Sequence, residues 1–330
     1  MKFFKDKNAD LGILKGKIIA VIGFGSQGSA QAMCMKDSGL EVVVGLHAGS
    51  KSAKAAREYG FEVLPVSEAV KRADIVHVLL PDQIQAEVYK KEIEPFLSKE
   101  KSLSFSHGFN IVFGFIKPPK GVDVFMLAPH SPGTEERRLF LEGKGVPGLI
   151  AVHQNPSGKA KEKALAMAKA CGFTRVGVYE CSFEQETYSD LFAEQAVLCG
   201  GLSELVKAGF DTLVKKGFPP EMAFFACAYE VKLIANLLST NGIEGMWSKV
   251  SDTAEYGGRT RGPKIIDKSI RKRMEKLFSE VESGKFAREW MKEHATGEKK
   301  LLGLRKKAGG QKIEFAAKSL KKLASFQAVQ

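Results

Sequence analysis

The residues of this 330-residue chain best placed to do chemistry lie in residues 186–201, E-T-Y-S-D-L-F-A-E-Q-A-V-L-C-G-G. Read as a helix, the stretch sets Glu186, Asp190 and Glu194 at i, i+4 and i+8 on one face, three carboxylates deep. Like charges at that spacing cost roughly 0.2–0.5 kcal/mol per pair on a bare helix, so they call for solvent or for a cation among them. With ~1.5 Å of rise per residue, Asp190 and Glu194 stand ~6 Å apart along the axis, close enough for both to reach one hard divalent ion. Leu191, Ala193, Ala196, Val197 and Leu198 crowd the same helix, and a further acid, Glu230, falls on a later apolar helix. Carboxylates among apolar neighbours need a partner. A solvated acidic helix face is the plainer alternative.

The elements that would position these acids begin upstream. Residues 17–22, K-I-I-A-V-I, read as a strand, followed at once by G-F-G-S-Q-G and a helix-like S-A-Q-A-M-C-M-K-D-S-G. Gly23, Gly25 and Gly28 thus form G-x-G-x-x-G between a strand and a helix, the context in which the motif predicts a bound dinucleotide with its pyrophosphate on the helix N-terminus. The next strand, residues 41–46, ends in L-H-A-G-S-K-S. An acid here would take the ribose 2'-hydroxyl of NAD; His47, Ser50, Lys51 and Ser52 instead offer donors and positive charge, which suits the 2'-phosphate of NADP. Ser50 as a plain helix cap is the alternative.

Further strands are expected over residues 74–80, 102–106, 122–127, 148–152 and 175–178, alternating with helices. That order predicts an α/β, Rossmann-type parallel sheet with ligands beyond the carboxyl ends of its strands. The loops at Gly23, His47, Pro81, His107 and Pro129 then converge on one crevice, which gives His107, followed by Gly108-Phe109-Asn110, an acid/base or orienting role. After residue 178 no strand pair is apparent, and helices are expected over residues 189–207, 220–239, 265–283, 285–294 and 312–325, broken at Pro219-Pro220 and Asn241-Gly242. The expected division is a nucleotide-binding domain over residues 1–181 and an all-helical one over 182–330. Leu233, Ile234 and Leu237 give the 220–239 helix more apolar surface than one chain needs, so subunit contact is expected.

A hydrophobic content of 44% with 27% charged residues is that of an ordinary globular protein. The first ten residues carry charges where a signal peptide needs an apolar stretch, and no uninterrupted apolar run of about 18 residues is present, so a cytoplasmic protein without a membrane span is expected. Five cysteines without a C-x-x-C pair read as buried thiols. The net charge of +12 is concentrated near the end, where residues 299–322 carry nine Lys or Arg against Glu314 alone. Without aromatic platforms this reads as a solvated tail, or one docked on an acidic neighbouring subunit, rather than a nucleic-acid site.

The succession G-F-G-S-Q-G, M-K-D-S-G, V-V-V-G-L, L-L-P-D, S-H-G-F-N-I, D-V-F-M-L-A-P, L-I-A-V-H-Q, D-L-F-A-E-Q-A-V-L-C-G-G-L and T-A-E-Y-G resembles ketol-acid reductoisomerase of the short bacterial form, from about residue 16 to residue 304. The resemblance implies an enzyme of branched-chain amino acid synthesis that uses NADPH and two Mg2+ ions. Its reaction is alkyl migration followed by hydride reduction of a 2-hydroxy-2-alkyl-3-oxo acid such as acetolactate. It implies metal ligation by Asp190 and Glu194, a ligand given to the partner subunit by Glu230, a substrate contact at Ser251 and an active-site histidine at His107. It further implies a cofactor cradle of Phe24, Gly25, Ser26, Gln27, Gly28, His47, Ser50, Ser52, Asp82, Gln83, Ile84, Gln85 and Gly133, and a knotted, dimeric helical domain with metal sites shared between subunits. Four positions depart from the pattern. Ala226 stands in place of a carboxylate, His130 in place of a lysine beside the substrate, His47 in place of an arginine at the 2'-phosphate, and Ser29 in place of a histidine. A methyl group cannot bind Mg2+, and imidazole is only partly charged at neutral pH, so metal affinity and charge stabilisation should drop. The alternative raised by these departures is a relative that only reduces a 2-oxo acid or imine, with one metal or none; a catalytically silent relative is a third reading.

Overall fold

The computed structural model describes residues 2–323, and by its internal contacts the chain divides into two units after Ser189. The division falls inside one helix, Phe183–Ala193, which carries the chain from the first unit into the second.

The first unit is built on nine strands: β1 (Phe3–Phe4), β2 (Ile18–Ile22), β3 (Glu41–Gly45), β4 (Glu62–Leu64), β5 (Ile75–Val78), β6 (Ser102–Phe105), β7 (Asp123–Pro129), β8 (Gly148–Gln154) and β9 (Val178–Glu180). They form one sheet in the order β1-β9-β8-β7-β6-β5-β2-β3-β4. Strand β2 is apolar at every position because both faces of the sheet are covered. Ile19, Val21, Val44, Phe125 and Ile150 pack into one cluster, while Ala20, Ile22, Val43, Val76, Leu103 and Met126 pack into the other. The odd and even residues of each strand thus fill opposite layers.

From β4 across to β7 every pairing is parallel, as the alternation predicts, but the sheet as a whole is mixed. Strand β8 runs antiparallel to β7, and β1 runs antiparallel to β9. The antiparallel pairing continues past the end of β7, where His130 N–H donates to Pro147 O at 2.9 Å. Two expectations shift here. Residues 173–176 form a helical turn, Phe173–Val176, and the strand begins only at Val178, after Gly177. The leader contributes β1, and β4 too lies outside the expected strands; strands of two and three residues show too little alternation to be recognised.

The second unit is helical throughout its described residues: Gly200–Lys215, Pro220–Phe224, Val231–Trp247, Asp252–Ile265, Lys268–Glu282, Lys285–Ala295, Lys299–Gly309 and Lys312–Leu323. The helix expected over residues 312–325 is described from Lys312 to Leu323, and residues 324 and 325 lie outside the described residues. Pro219 caps the second of these helices, and Gly242, at φ 70°, breaks the third, where the sequence puts its interruptions. The basic tail holds the last two of these helices, and the final one packs Ile313 and Ala316 against a small core around Phe210 and Ala223. Segments with i→i+5 bonding interrupt the unit twice: Cys199 N–H bonds to Glu194 O at 2.9 Å, and Glu230 N–H to Phe225 O at 3.2 Å.

Helical residues Pro220–Trp247 are long and apolar enough, by length and composition only, to cross a membrane, and little of their most apolar stretch is buried. Glu221, Glu230, Lys232 and Glu244 interrupt the run, so it is not a continuous apolar one. Leu233 (53%), Ile243 (65%) and Leu198 (63%) are among the exposed apolar side chains of this unit.

Candidate active site

A cleft of about 530 Å3 opens at the carboxyl ends of the strands in the first unit. Its floor is the loop after β2, where Gly23 takes φ +103° and a Cβ on Gly28 would stand 2.3 Å from Gly23 O, so the turn and the helix behind it close only on glycine. No atom lies within 4 Å of where a Cβ on Gly25 would be, so the loop backbone is open to a phosphate. Helix Ser26–Asp37 starts there with no side-chain cap and no acid in its first turn, leaving its N–H groups and positive end for an anion. These features fit the pyrophosphate of a dinucleotide.

Phe24, Gly25, Ser26, Gln27, His47, Ser50, Ser52, Asp82, Ile84, Gln85 and His107 all line the cleft. Ser50 does not cap the following helix, whose N-cap is Lys51, and its side chain is left facing the cleft. Gly28, Gln83, His130 and Gly133 are not among the lining residues. Gly133 instead abuts the glycine loop, where its Cβ would stand 2.2 Å from Ser26 O, and His130 is exposed. Leu46, Val66, Val88, Glu92 and Ser106 also line the cleft and are absent from the expected set. Ser106 directly precedes His107 and is readable as a strand-end residue; Val66 follows a strand too short to recognise.

The loops after β5 and β6 are cross-linked. Buried Asn110 Nδ2 donates to Asp82 O at 2.9 Å and to Gln85 Oε1 at 3.1 Å, while Gln85 Nε2 donates to Leu80 O at 2.7 Å. His107 is held from behind: its Nδ1 lies 2.9 Å from Glu186 Oε1, and Glu186 Oε2 accepts from Gly108 N–H at 3.0 Å. A carboxylate bonded to Nδ1 keeps the proton there and makes Nε2 the acceptor nitrogen. A Cβ on Gly108 would meet Thr187 Oγ1 at 2.2 Å, so the H-G step lets this helix approach.

Glu186 therefore does not share a solvated face with Asp190 and Glu194. It is 4% exposed and turned to His107, a partnership between residues 79 apart that helical spacing alone could not reveal. In the second unit Asp190 is exposed and Glu194 half-buried at the start of the first i→i+5 segment, while Glu230 follows directly on the second and is exposed. Among the described residues Asp190, Glu194 and Glu230 do not gather into one group within the chain; each offers carboxylate oxygen, the donor that a hard divalent ion such as Mg2+ takes. Ala226 is exposed and adds no ligand. Ser251 caps helix Asp252–Ile265, its Oγ accepting from Ala254 N–H at 3.2 Å.

All five cysteines are unbridged: Cys34 and Cys171 are buried as expected, Cys181 and Cys227 partly so, and Cys199 is exposed. Burial pushes the Cys34 thiol up to about 12, so it is inert as a nucleophile.

The model of the family "Acetohydroxy acid isomeroreductase, NADPH-binding domain" matches residues 13–177, and that of "Ketol-acid reductoisomerase, C-terminal domain" matches residues 183–326. The ketol-acid reductoisomerase (NADP(+)) of Petrotoga mobilis is 53% identical over 318 residues, covering 96% of both chains. A ketol-acid reductoisomerase (NAD(+)) from an uncultured archaeon is 50% identical over 328 residues, covering 98% of this chain and 99% of its own. A solved structure described as an NADH-preferring ketol-acid reductoisomerase from an uncultured archaean superposes with a TM-score of 0.95 at 50% identity, covering 98% of this chain and 99% of that one.

Proposed function

The chain belongs to the ketol-acid reductoisomerase family, and from that premise we propose that it converts an acetolactate-type 2-hydroxy-2-alkyl-3-oxo acid with NADPH in the first unit's cleft and Mg2+ on the carboxylates of the second. The observation that carries this reading is the cleft itself, with the open glycine loop on its floor and His107 on Glu186 in its wall.

When bound, Mg2+ supplies Lewis acidity at the substrate's hydroxyl and ketone oxygens, and NADPH supplies the hydride. Asp190, Glu194 and Glu230 are assigned to hold the metal, with water making up for the oxygen that Ala226 lacks. His107 takes or returns a proton at Nε2, its orientation kept by Glu186. The Ser251 hydroxyl, whose lone pair faces Ala254 N–H, has its hydrogen to donate to the substrate carboxylate. His130 is assigned to the substrate as a weaker donor than a lysine would be.

The cofactor preference rests on His47, Ser50 and Ser52 in the cleft wall, with no carboxylate among the residues after β3 to accept from a ribose hydroxyl. Charge-assisted hydrogen bonds to a 2'-phosphate are worth about 1.5–3 kcal/mol. NADPH is therefore expected to bind roughly 10- to 100-fold more tightly than NADH, as read by fluorescence titration of both. Tighter binding of NADH, the preference named for the archaeal relative, would reverse this assignment.

The exposed apolar residues Leu233, Ile234 and Ile243 support a second copy of the chain as their cover. The same run contains Glu221, Glu230, Lys232 and Glu244, and charges near the middle of a span are costly in a bilayer. Sedimentation equilibrium is expected to return a dimer or a multiple of it; a monomer at micromolar concentration would count against the shared site. We place the enzyme in the cytoplasm, where unbridged thiols persist.

A further inference from the structure

His77 lies in the middle of β5, 0% exposed, and has no part in the chemistry above. Its imidazole is bonded at both nitrogens. Nε2 lies 2.8 Å from Gln31 Oε1, and Nδ1 lies 3.0 Å from Ser104 Oγ. Gln31, also 0% exposed, directs its Nε2 to Gln27 Oε1 at 3.1 Å and to Ser106 Oγ at 3.0 Å. Gln27 Nε2 in turn donates to the backbone oxygen of Ser131 at 2.8 Å. Gln27 and Ser106 both line the cofactor cleft.

The direction of every bond in this chain follows from its one fixed end. A backbone carbonyl can only accept, so Gln27 must present its NH2 to Ser131 and its oxygen to Gln31. Gln31 must then present its NH2 to Gln27 and Ser106, which leaves its oxygen for His77. That oxygen needs a donor, so His77 carries its proton on Nε2 and accepts from the Ser104 hydroxyl at Nδ1. Burial pushes the imidazole down to about 3, which keeps it neutral and preserves this tautomer. At the far end, Ser106 Oγ accepts from Gln31 Nε2 at 3.0 Å and reaches Gln31 Oε1 only at 3.4 Å, an oxygen that His77 already occupies at 2.8 Å, so an acceptor bound in the cleft can take the Ser106 hydrogen.

We propose that His77 is a positioning residue for the cofactor site: by donating to Gln31 Oε1 it keeps the Ser106 hydroxyl from turning fully to that oxygen, so that the cleft wall beside His107 presents a hydroxyl donor to a carbonyl-bearing ligand such as the nicotinamide carboxamide. An apolar side chain at residue 77 leaves Gln31 Oε1 with the Ser106 hydroxyl, now 3.4 Å away, as its donor, and that hydroxyl then gains by rotating toward Gln31. That rotation removes the donor from the cleft without altering any cleft residue. The inference rests on the dinucleotide reading of the same cleft.

The experiment compares His77→Met with His77→Gln, whose Nε2 can replace the lost donor, in the full-length protein. Met at this position is expected to raise the NADPH dissociation constant about tenfold, the loss of one buried hydrogen bond, with the KM of the hydroxy-oxo acid unchanged. Gln is expected to return the NADPH constant to within about threefold of wild type. Equal NADPH affinity in His77→Met and wild type overturns the inference, as does a loss common to both variants that follows their melting temperatures. If wild type itself has no affinity for NADPH, the dinucleotide reading falls with it; if wild type binds and His77→Met binds equally, this inference alone falls. Should His77→Met not fold, nitrogen NMR of labelled histidine in the wild-type protein decides. The Nε2–H tautomer with resonances that shift on NADPH addition supports the inference, and the Nδ1–H tautomer or an unchanged spectrum overturns it.

Discussion

Glu194→Gln lowers turnover of acetolactate about a thousandfold while NADPH affinity stays within about twofold of wild type. The size follows from the charge removed. An amide oxygen is an uncharged and weaker ligand for a hard ion, and metal polarisation of a substrate oxygen is worth several kcal/mol of barrier, of which about 4 kcal/mol is a thousandfold in rate. Asp190, one turn earlier, is the acid that shares Glu194's face now that Glu186 is committed to His107. Cofactor binding is spared because the cleft is lined by the first unit alone. Glu204 is the control: it is an exposed acid of the same unit paired with Lys207 at 2.8 Å. Glu204→Gln should keep full turnover, since exposed pairs contribute little. Retention of more than about a third of the turnover by Glu194→Gln, with its magnesium dependence unaltered, would remove Glu194 from the metal site.

Glu136→Met is expected to stabilise the protein at pH 8 on the order of 4 kcal/mol, a rise of roughly 10 °C in melting temperature. Glu136 sits on helix Gly133–Leu141, 1% exposed, and neither carboxylate oxygen has a hydrogen-bond partner among the described residues. The buried thiols Cys34 and Cys171 lie within electrostatic reach, and the adjacent Arg137 is drawn to Asp37 at 2.7 Å. Burial pushes the carboxyl up from 4.5 to about 8. An acid whose folded pKa lies above its unfolded one favours folding below the unfolded value, and this contribution is lost as pH rises through the folded value. The advantage of Met over Glu should therefore grow between pH 4.5 and about 8 and then level off. A Glu136→Met variant whose advantage at pH 8 equals that at pH 5 would show the carboxyl carries no such penalty. His77 has the opposite dependence, its folded pKa depressed from 6.5 to about 3, so its contribution is lost as pH falls through that interval.

What the sequence reveals of this fold is set by the range of the forces that leave a mark on it. The central strands are visible because burial on both faces makes a run such as Ile18–Ile22 wholly apolar, and the nucleotide turn is visible because Gly23 and Gly28 admit no Cβ. Strand direction leaves no such mark: the antiparallel ladder of β7 and β8 is made of backbone hydrogen bonds, which any residue but proline can donate. The carboxylates at residues 186, 190 and 194 are legible as sharing a face, but periodicity does not say what that face meets. Glu186 takes His107 and Gly108 as partners. The last helix is legible in the sequence, but what it packs on is not: Ile313 and Ala316 meet Phe210 and Ala223, far away along the chain. The polar chain from His77 to Ser131 joins β5, helix Ser26–Asp37 and the loops after β6 and β7, and is invisible to any local pattern.

The most direct test adds acetolactate and NADPH to the purified protein, titrates magnesium from a chelated starting point, and identifies the product by NMR. The proposed ligation of magnesium by Asp190, Glu194 and Glu230 predicts that the rearranged dihydroxy acid forms in step with magnesium and is absent from the chelated sample. Formation of the unrearranged reduction product, or turnover indifferent to the ion, would contradict it.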